Sequence, residues 1–301
     1  MLWLIVIVSA YFIFALVSLG DKYLLMGPPN PKNYSFYVGV LWILALFLIP
    51  FVNFYVPDLT QIFLCFSAGA IYIFALLGLF EGLEKFEASR IVPAIGGILP
   101  IFTFVLVYLF SWGKEILNFR EIGAFILLIS GSIFIVWESS KKISLESLKI
   151  SFITAFLFAL TFVLTKYVYL AQPFWNGFVW IRIGGFLTAL CFLFFKEVRK
   201  EIFFRKFTFN KKTGTLFLLN QGVGAGAFIL QNWAIALAGL AYLAIINALQ
   251  GIQYIFLFIF TILFSLKSPK ILKEEISKKN IIQKIIAIVA IGVGLAILAP
   301  K

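Results

Sequence analysis

Ten apolar stretches, set in two groups of five, limit what this chain can fold into. Each is about 18–24 residues long, and at about 1.5 Å per residue a helix of that length crosses a hydrocarbon core of about 30 Å. They start near Leu2, Ser35, Thr60, Ile91 and Phe119, and again near Ile150, Pro173, Thr213, Ala241 and Ile281. Lipid offers backbone groups no hydrogen bonds, so helices are expected. The groups echo each other: Ala94-Ile95-Gly96-Gly97-Ile98 has its counterpart in Ala248-Leu249-Gln250-Gly251-Ile252. Because each copy holds an odd number of spans, the copies must face opposite ways, and inverted repeats of this kind are common in transporters. The expectation is an all-α, polytopic membrane protein with ten transmembrane helices as two inverted five-helix repeats, residues 1–145 and 146–301.

Composition agrees with that class. Apolar residues make up 62% and charged residues 13%, with a mean hydropathy of +1.06. A soluble domain is closer to half apolar and a quarter charged. The first stretch runs past the length of a secretion signal and has no Ala-x-Ala site, so it reads as a span. Histidine is absent, and the two cysteines, Cys65 and Cys191, both lie inside apolar stretches. That leaves no zinc-type ligand set and no disulfide framework. With no G-x-x-x-x-G-K-[ST] loop either, neither metal nor cofactor nor ATP-driven work is expected.

The net charge of +12 sits beside the spans, where cytoplasmic lysines set topology and meet anionic lipid. Nucleic acid is therefore not an expected partner; lipid and a small solute are, with a monomer sufficient and a dimer left open. Of the 25 Lys and Arg residues, 20 fall in connections on one side of the expected membrane and 4 on the other. The positive-inside rule puts the crowded side in the cytoplasm of a plasma-membrane protein, and both termini outside.

A family resemblance lies between Leu83 and Gly131. Leu83, Phe86, Ala88 and Ser89 form a short link ending in small residues. Leu99-Pro100-Ile101-Phe102 puts a proline inside the fourth span. Glu115 stands before Gly123, and Gly131 follows. In the second half Ala238 to Ala244 echoes the link, Glu274 and Glu275 stand for Glu115, and Gly292 and Gly294 close the pattern. The chain resembles the drug/metabolite transporter superfamily, in its EamA-like branch. That resemblance implies ten helices built by duplication of a five-helix unit. Members commonly keep both termini in the cytoplasm and carry their basic loop between spans two and three. Here that loop holds Asp58, and a basic loop lies between spans seven and eight.

Few residues in the spans can carry chemistry. Arg182, in Trp180-Ile181-Arg182-Ile183-Gly184, is the sharpest. A cation inside a span costs roughly 2.5–3.5 kcal/mol on insertion scales, so it should face a polar cavity or a partner. Its guanidinium suits a carboxylate or phosphate; snorkelling or a bond to helix-end carbonyls are the plainer roles. Lys22 and Lys166 occupy matching places at the ends of spans one and six, as anion attractors or as snorkelling lysines. Spans eight and nine carry Asn220, Gln221, Gln231, Asn232, Asn247, Gln250 and Gln253. The last three follow an i, i+3, i+6 pattern on one helix face. They suit a cavity that reads hydroxyl, amide or carboxylate groups, or else interhelical hydrogen bonding. Tyr254, with Tyr242, Trp180 and Trp233, is an aromatic candidate for the same cavity. Gly222 and Gly226, at GxxxG spacing, suggest close helix packing.

All 13 acidic residues lie in connections or at span ends. Proton relays usually use intramembrane acids, so facilitated diffusion or exchange is favoured over proton-driven export. Asp21, Glu81 and Glu84 could still reach a cavity mouth. An intramembrane enzyme would need a nucleophile with a base, or paired acids, and the spans hold no such set. The expected function is alternating-access carriage of a small organic metabolite, an amino acid or a related anionic or zwitterionic solute. A lipid or lipid-linked sugar flippase is the alternative, followed by a channel or non-transport membrane subunit.

Overall fold

The computed structural model describes residues 2–25, 31–86, 88–136, 144–204, 211–267 and 278–298. Among them every regular element is a helix. The order is α1 (Leu2–Leu25), α2 (Pro31–Leu41, continuing as a 3-10 run over Trp42–Phe51), α3 (Leu59–Lys85), α4 (Ala88–Phe110), α5 (Phe119–Val136) and α6 (Leu145–Ala171). Then come α7 (Phe174–Cys191), α8 (Lys196–Phe204), α9 (Lys211–Leu237), α10 (Leu243–Ala248), α11 (Gln250–Lys267) and α12 (Lys278–Leu298). Helices begin near each expected start. The basic connection before α9 adds one element, the short helix α8. Among the described residues six segments are long and apolar enough to cross a membrane: Leu2–Asp21, Pro31–Phe51, Leu59–Lys85, Leu145–Ala171, Phe174–Phe194 and Leu240–Leu257. The protein is all-α and polytopic, and it belongs in a membrane.

Local chemistry sets the ends. Asp58 caps α3 by accepting from the Gln61 N–H at 2.9 Å, and Ser144 caps α6 by accepting from the Ser147 N–H at 3.1 Å. Before α5, Asn118 and Glu121 form a reciprocal capping box: the Glu121 N–H donates to Asn118 Oδ1 and the Asn118 N–H to Glu121 Oε2. The end of α4 needs two residues in the left-handed region, Trp112 (φ 54°) and Gly113 (φ 72°). Only glycine takes that conformation without a Cβ penalty, so Gly113 absorbs much of the reversal.

Packing turns the usual soluble pattern inside out. Large apolar side chains such as Phe47, Phe51, Phe63 and Ile5 point outward, while Arg182, Lys166, Asn176 and Asn247 are buried. α1 packs along α9 and α11, α3 along α6 and α7, α4 along α6 and α10, and α5 along α12. The α3–α7 contact is the one that positions the site. A Cβ on Gly69 would run into the backbone of Ile181 and Gly185, and one on Gly185 into the Trp42 ring. Glycine on both sides lets the two backbones meet and brings Trp42 against α7. On α9, by contrast, Gly222 and Gly226 have open space where a Cβ would be. Their spacing therefore packs nothing within the described chain.

Candidate functional site

The sequence-selected residues separate into four places. Arg182 occupies the first. It is 6% exposed, in the middle of α7, and its guanidinium carbon lies 3.7 Å from the Phe228 ring centre and 3.8 Å from that of Trp42. Phe178 follows at 4.9 Å. The Trp42 and Phe228 centres are 6.0 Å apart and their planes meet at 52°, so the cation sits in the corner between two rings. Tyr72 packs on both rings, at 5.1 Å and 5.3 Å. No described carboxylate pairs with Arg182, and no described oxygen accepts a hydrogen bond from it. The ion pairs Lys32–Glu197 (3.4 Å) and Lys85–Glu146 (3.0 Å) involve partly to well exposed groups at helix ends.

Beside this corner, Asn232 makes two hydrogen bonds. Its Oδ1 accepts from Tyr169 Oη at 2.8 Å, and its amide nitrogen donates to the Phe228 carbonyl at 2.9 Å. Asn232 thus holds the Tyr169 hydroxyl and bonds back to its own helix, with one amide N–H and one oxygen lone pair remaining.

The second place is the interruption at Leu249 between α10 and α11. Tyr11 Oη donates to the Ile246 carbonyl at 2.8 Å, and Ser132 Oγ to the Ala248 carbonyl at 3.1 Å. Asn247 Nδ2 donates to Thr103 Oγ1 at 2.8 Å, while Gln253 Nε2 donates to Ser18 Oγ at 3.0 Å. Asn247 thus turns to α4 and Gln253 to α1, and the two do not converge. Gln231 is buried on α9. Tyr254 is buried, with its hydroxyl over Gly96. Gln250 opens α11 half-buried.

The third place is a carboxylate network near the end of α1. Asp21 Oδ1 accepts from Tyr34 Oη at 2.9 Å and from Asn220 Nδ2 at 2.8 Å. Gln221 Nε2 reaches the same Tyr34 hydroxyl at 3.4 Å. The network ties α1, α2 and α9, and the glycine at position 20 lets Asn220 lie against the α1 backbone.

The fourth is Lys166, 2% exposed. Its Nζ donates to the Ala236 carbonyl at 2.9 Å and the Ala238 carbonyl at 2.5 Å. These are C-terminal carbonyls of α9, which lack intrahelical partners and carry the negative end of the helix dipole. The ammonium is committed to the backbone. The Lys22 side chain, expected as its counterpart, lies outside the described residues.

Trp180 and Trp233 lie away from the corner. Trp180 stacks on Phe54 at 5.6 Å and donates to the Tyr55 carbonyl, and Trp233 is 44% exposed. Tyr242 donates to Glu121. The aromatic residues that do surround Arg182, namely Trp42, Tyr72, Phe178 and Phe228, were not singled out by sequence. A weak signal for one of them exists in the Gly184-Gly185 pair next to Arg182, which makes room for a large ring.

No family model matches the chain, and no curated protein matches it. A solved crystal structure resembles it with a TM-score of 0.68 at 13% sequence identity, over 97% of this chain and 96% of that one. At that identity the likeness speaks to the fold alone.

Proposed function

We propose that this protein is a secondary carrier for a small organic anion or zwitterion, working by alternating access in the plasma membrane. The observation that carries this reading is Arg182: a guanidinium on a buried residue, with five N–H donors and no acceptor among the described residues. A guanidinium on a residue held out of bulk water favours a charged acceptor. A solute carboxylate would supply what the described residues do not.

Helix pairing supports a duplicated, inverted architecture of ten spans. If α1, α2, α3, α4 and α5 correspond to α6, α7, α9, α10–α11 and α12, the α1–α9 contact exchanges with α6–α3, and α1–α11 with α6–α4. α5–α12 and α2–α7 would map onto themselves. A two-fold axis in the membrane plane generates pairings of this kind, and carriers of that design bind their solute at the repeat interface. The corner fits this, since Trp42 and Tyr72 come from the first half and Arg182 and Phe228 from the second. Membership in the drug/metabolite transporter superfamily is part of the same proposal. The test is uptake of candidate organic anions by proteoliposomes. Arg182→Ala should abolish uptake while the protein stays monodisperse; unchanged uptake removes Arg182 from the site.

A further inference from the structure

The makeup of the Arg182 corner narrows the solute. Resting on the carrier reading, we infer that the site takes a monoanion, a carboxylate with an apolar or aromatic body, and not an amino acid or a phosphate ester.

The argument is an inventory of what the corner offers. It contains one positive charge. No described carboxylate forms an ion pair with Arg182, so its charge is uncompensated among the described residues. A single carboxylate neutralises the guanidinium and accepts from it in the two-point geometry that arginine favours. A phosphate dianion would leave a surplus negative charge among ring faces that are themselves electron-rich.

An α-ammonium would fare worse. It needs a carboxylate or several acceptors of its own, and no described carboxylate pairs with Arg182. The oxygens beside the corner are neutral ones: Asn232 Oδ1, which already accepts from Tyr169, and the Tyr169 and Tyr72 hydroxyls. The near faces of Trp42 and Phe228 are taken by the guanidinium itself. Asp21 is held by Tyr34 and Asn220. What remains around the corner is ring surface from Trp42, Phe178, Phe228 and Tyr72, with Phe158 behind Tyr72 at 5.6 Å. Such a wall suits an apolar body and leaves the hydroxyls of a sugar without partners.

Four probes that share a phenyl ring test this on the purified protein in lipid nanodiscs, with thermal shift as the readout. They are phenylacetate, phenylacetamide, phenylalanine and phenyl phosphate, at a pH near 8 where the last is a dianion. Phenylacetate should stabilise the protein saturably, and each of the others should need at least about tenfold more ligand, since each leaves a charge or donor uncompensated. Arg182→Gln should remove the phenylacetate response. Arg182→Lys keeps the charge and guards against a folding defect; it should bind phenylacetate more weakly yet still prefer it to the amide. If phenylalanine or phenyl phosphate matches phenylacetate in an Arg182-dependent way, the solute class is wrong while the carrier reading stands. If both Arg182 variants respond like the parent protein, the anion site itself is lost. Equal responses to phenylacetate and phenylacetamide, zero included, overturn the inference as well.

Discussion

Lys166 and Arg182 are both cations buried on neighbouring helices, 2% and 6% exposed, yet their surroundings are opposite. Lys166 has two backbone carbonyls within hydrogen-bonding distance. Arg182 has aromatic rings and no acceptor among the described residues. Burial alone therefore does not mark a binding group in this molecule. The acceptor inventory separates the two: a satisfied cation ties two helices together, and the one without a described acceptor is the cation assigned to the solute in the proposal. Breaking each in turn should separate folding from binding.

The largest stability effect is expected at Lys166. Lys166→Met leaves the Ala236 and Ala238 carbonyls without their charged donor. It should destabilise the fold by about 2–3 kcal/mol, because hydrogen bonds to charged groups are worth about 1.5–3 kcal/mol. Denaturant titration by circular dichroism in mild detergent checks it, and an unchanged midpoint would show that the two carbonyls do not need the lysine. Next comes Gly185→Val, which drives a side chain into the Trp42 ring where α7 meets α3. Overpacking of this kind costs about 1–3 kcal/mol. The corner would open, so phenylacetate binding should fall even where folded protein is recovered. Binding at the parent level would show that the α3–α7 approach does not shape the site.

Asp21→Ala should cost about 1–2 kcal/mol by leaving the Tyr34 hydroxyl proton without its acceptor and the Asn220 amide with only the Val17 carbonyl. Asp21→Asn should recover part of that, since its side-chain oxygen still accepts; equal losses in the two variants would speak against the network. The smallest effect is at Lys32. Glu197 sits below its usual carboxylate range through its own backbone hydrogen bond and through Lys32. A depressed carboxyl contributes above its unfolded pKa and loses that contribution as pH falls through the folded value. Lys32→Ala should therefore cause a slight stability loss at neutral pH that vanishes in acid. A loss that persists in acid would mean that Lys32 acts through packing on Phe195, 5.0 Å away.

Helix positions were legible in the sequence because lipid leaves the backbone few alternatives. Arg182 was legible because a charge inside an apolar run has few innocent explanations. Its corner was not, since Trp42 and Phe228 lie on separate elements and nothing local to either points to Arg182. The amide pattern at Asn247, Gln250 and Gln253 assumed one shared face, but Asn247 bonds to Thr103 on α4 and Gln253 to Ser18 on α1. Gly222 and Gly226 show the opposite failure, a spacing with no described helix against it. Lys166 echoed Lys22 in sequence, yet only the tertiary fold shows which carbonyls receive it.

The most direct test sets Arg182→Met beside Lys166→Met and measures the unfolding midpoint of each without ligand, together with anion uptake. Replacing an unpaired buried charge by a hydrophobe of similar reach is often neutral or stabilising. Arg182→Met should therefore unfold at or above the midpoint of the parent protein while uptake is lost, and Lys166→Met should unfold well below it. A drop for Arg182→Met as large as that for Lys166→Met, or uptake that survives it, would contradict the assignment of Arg182 to the solute.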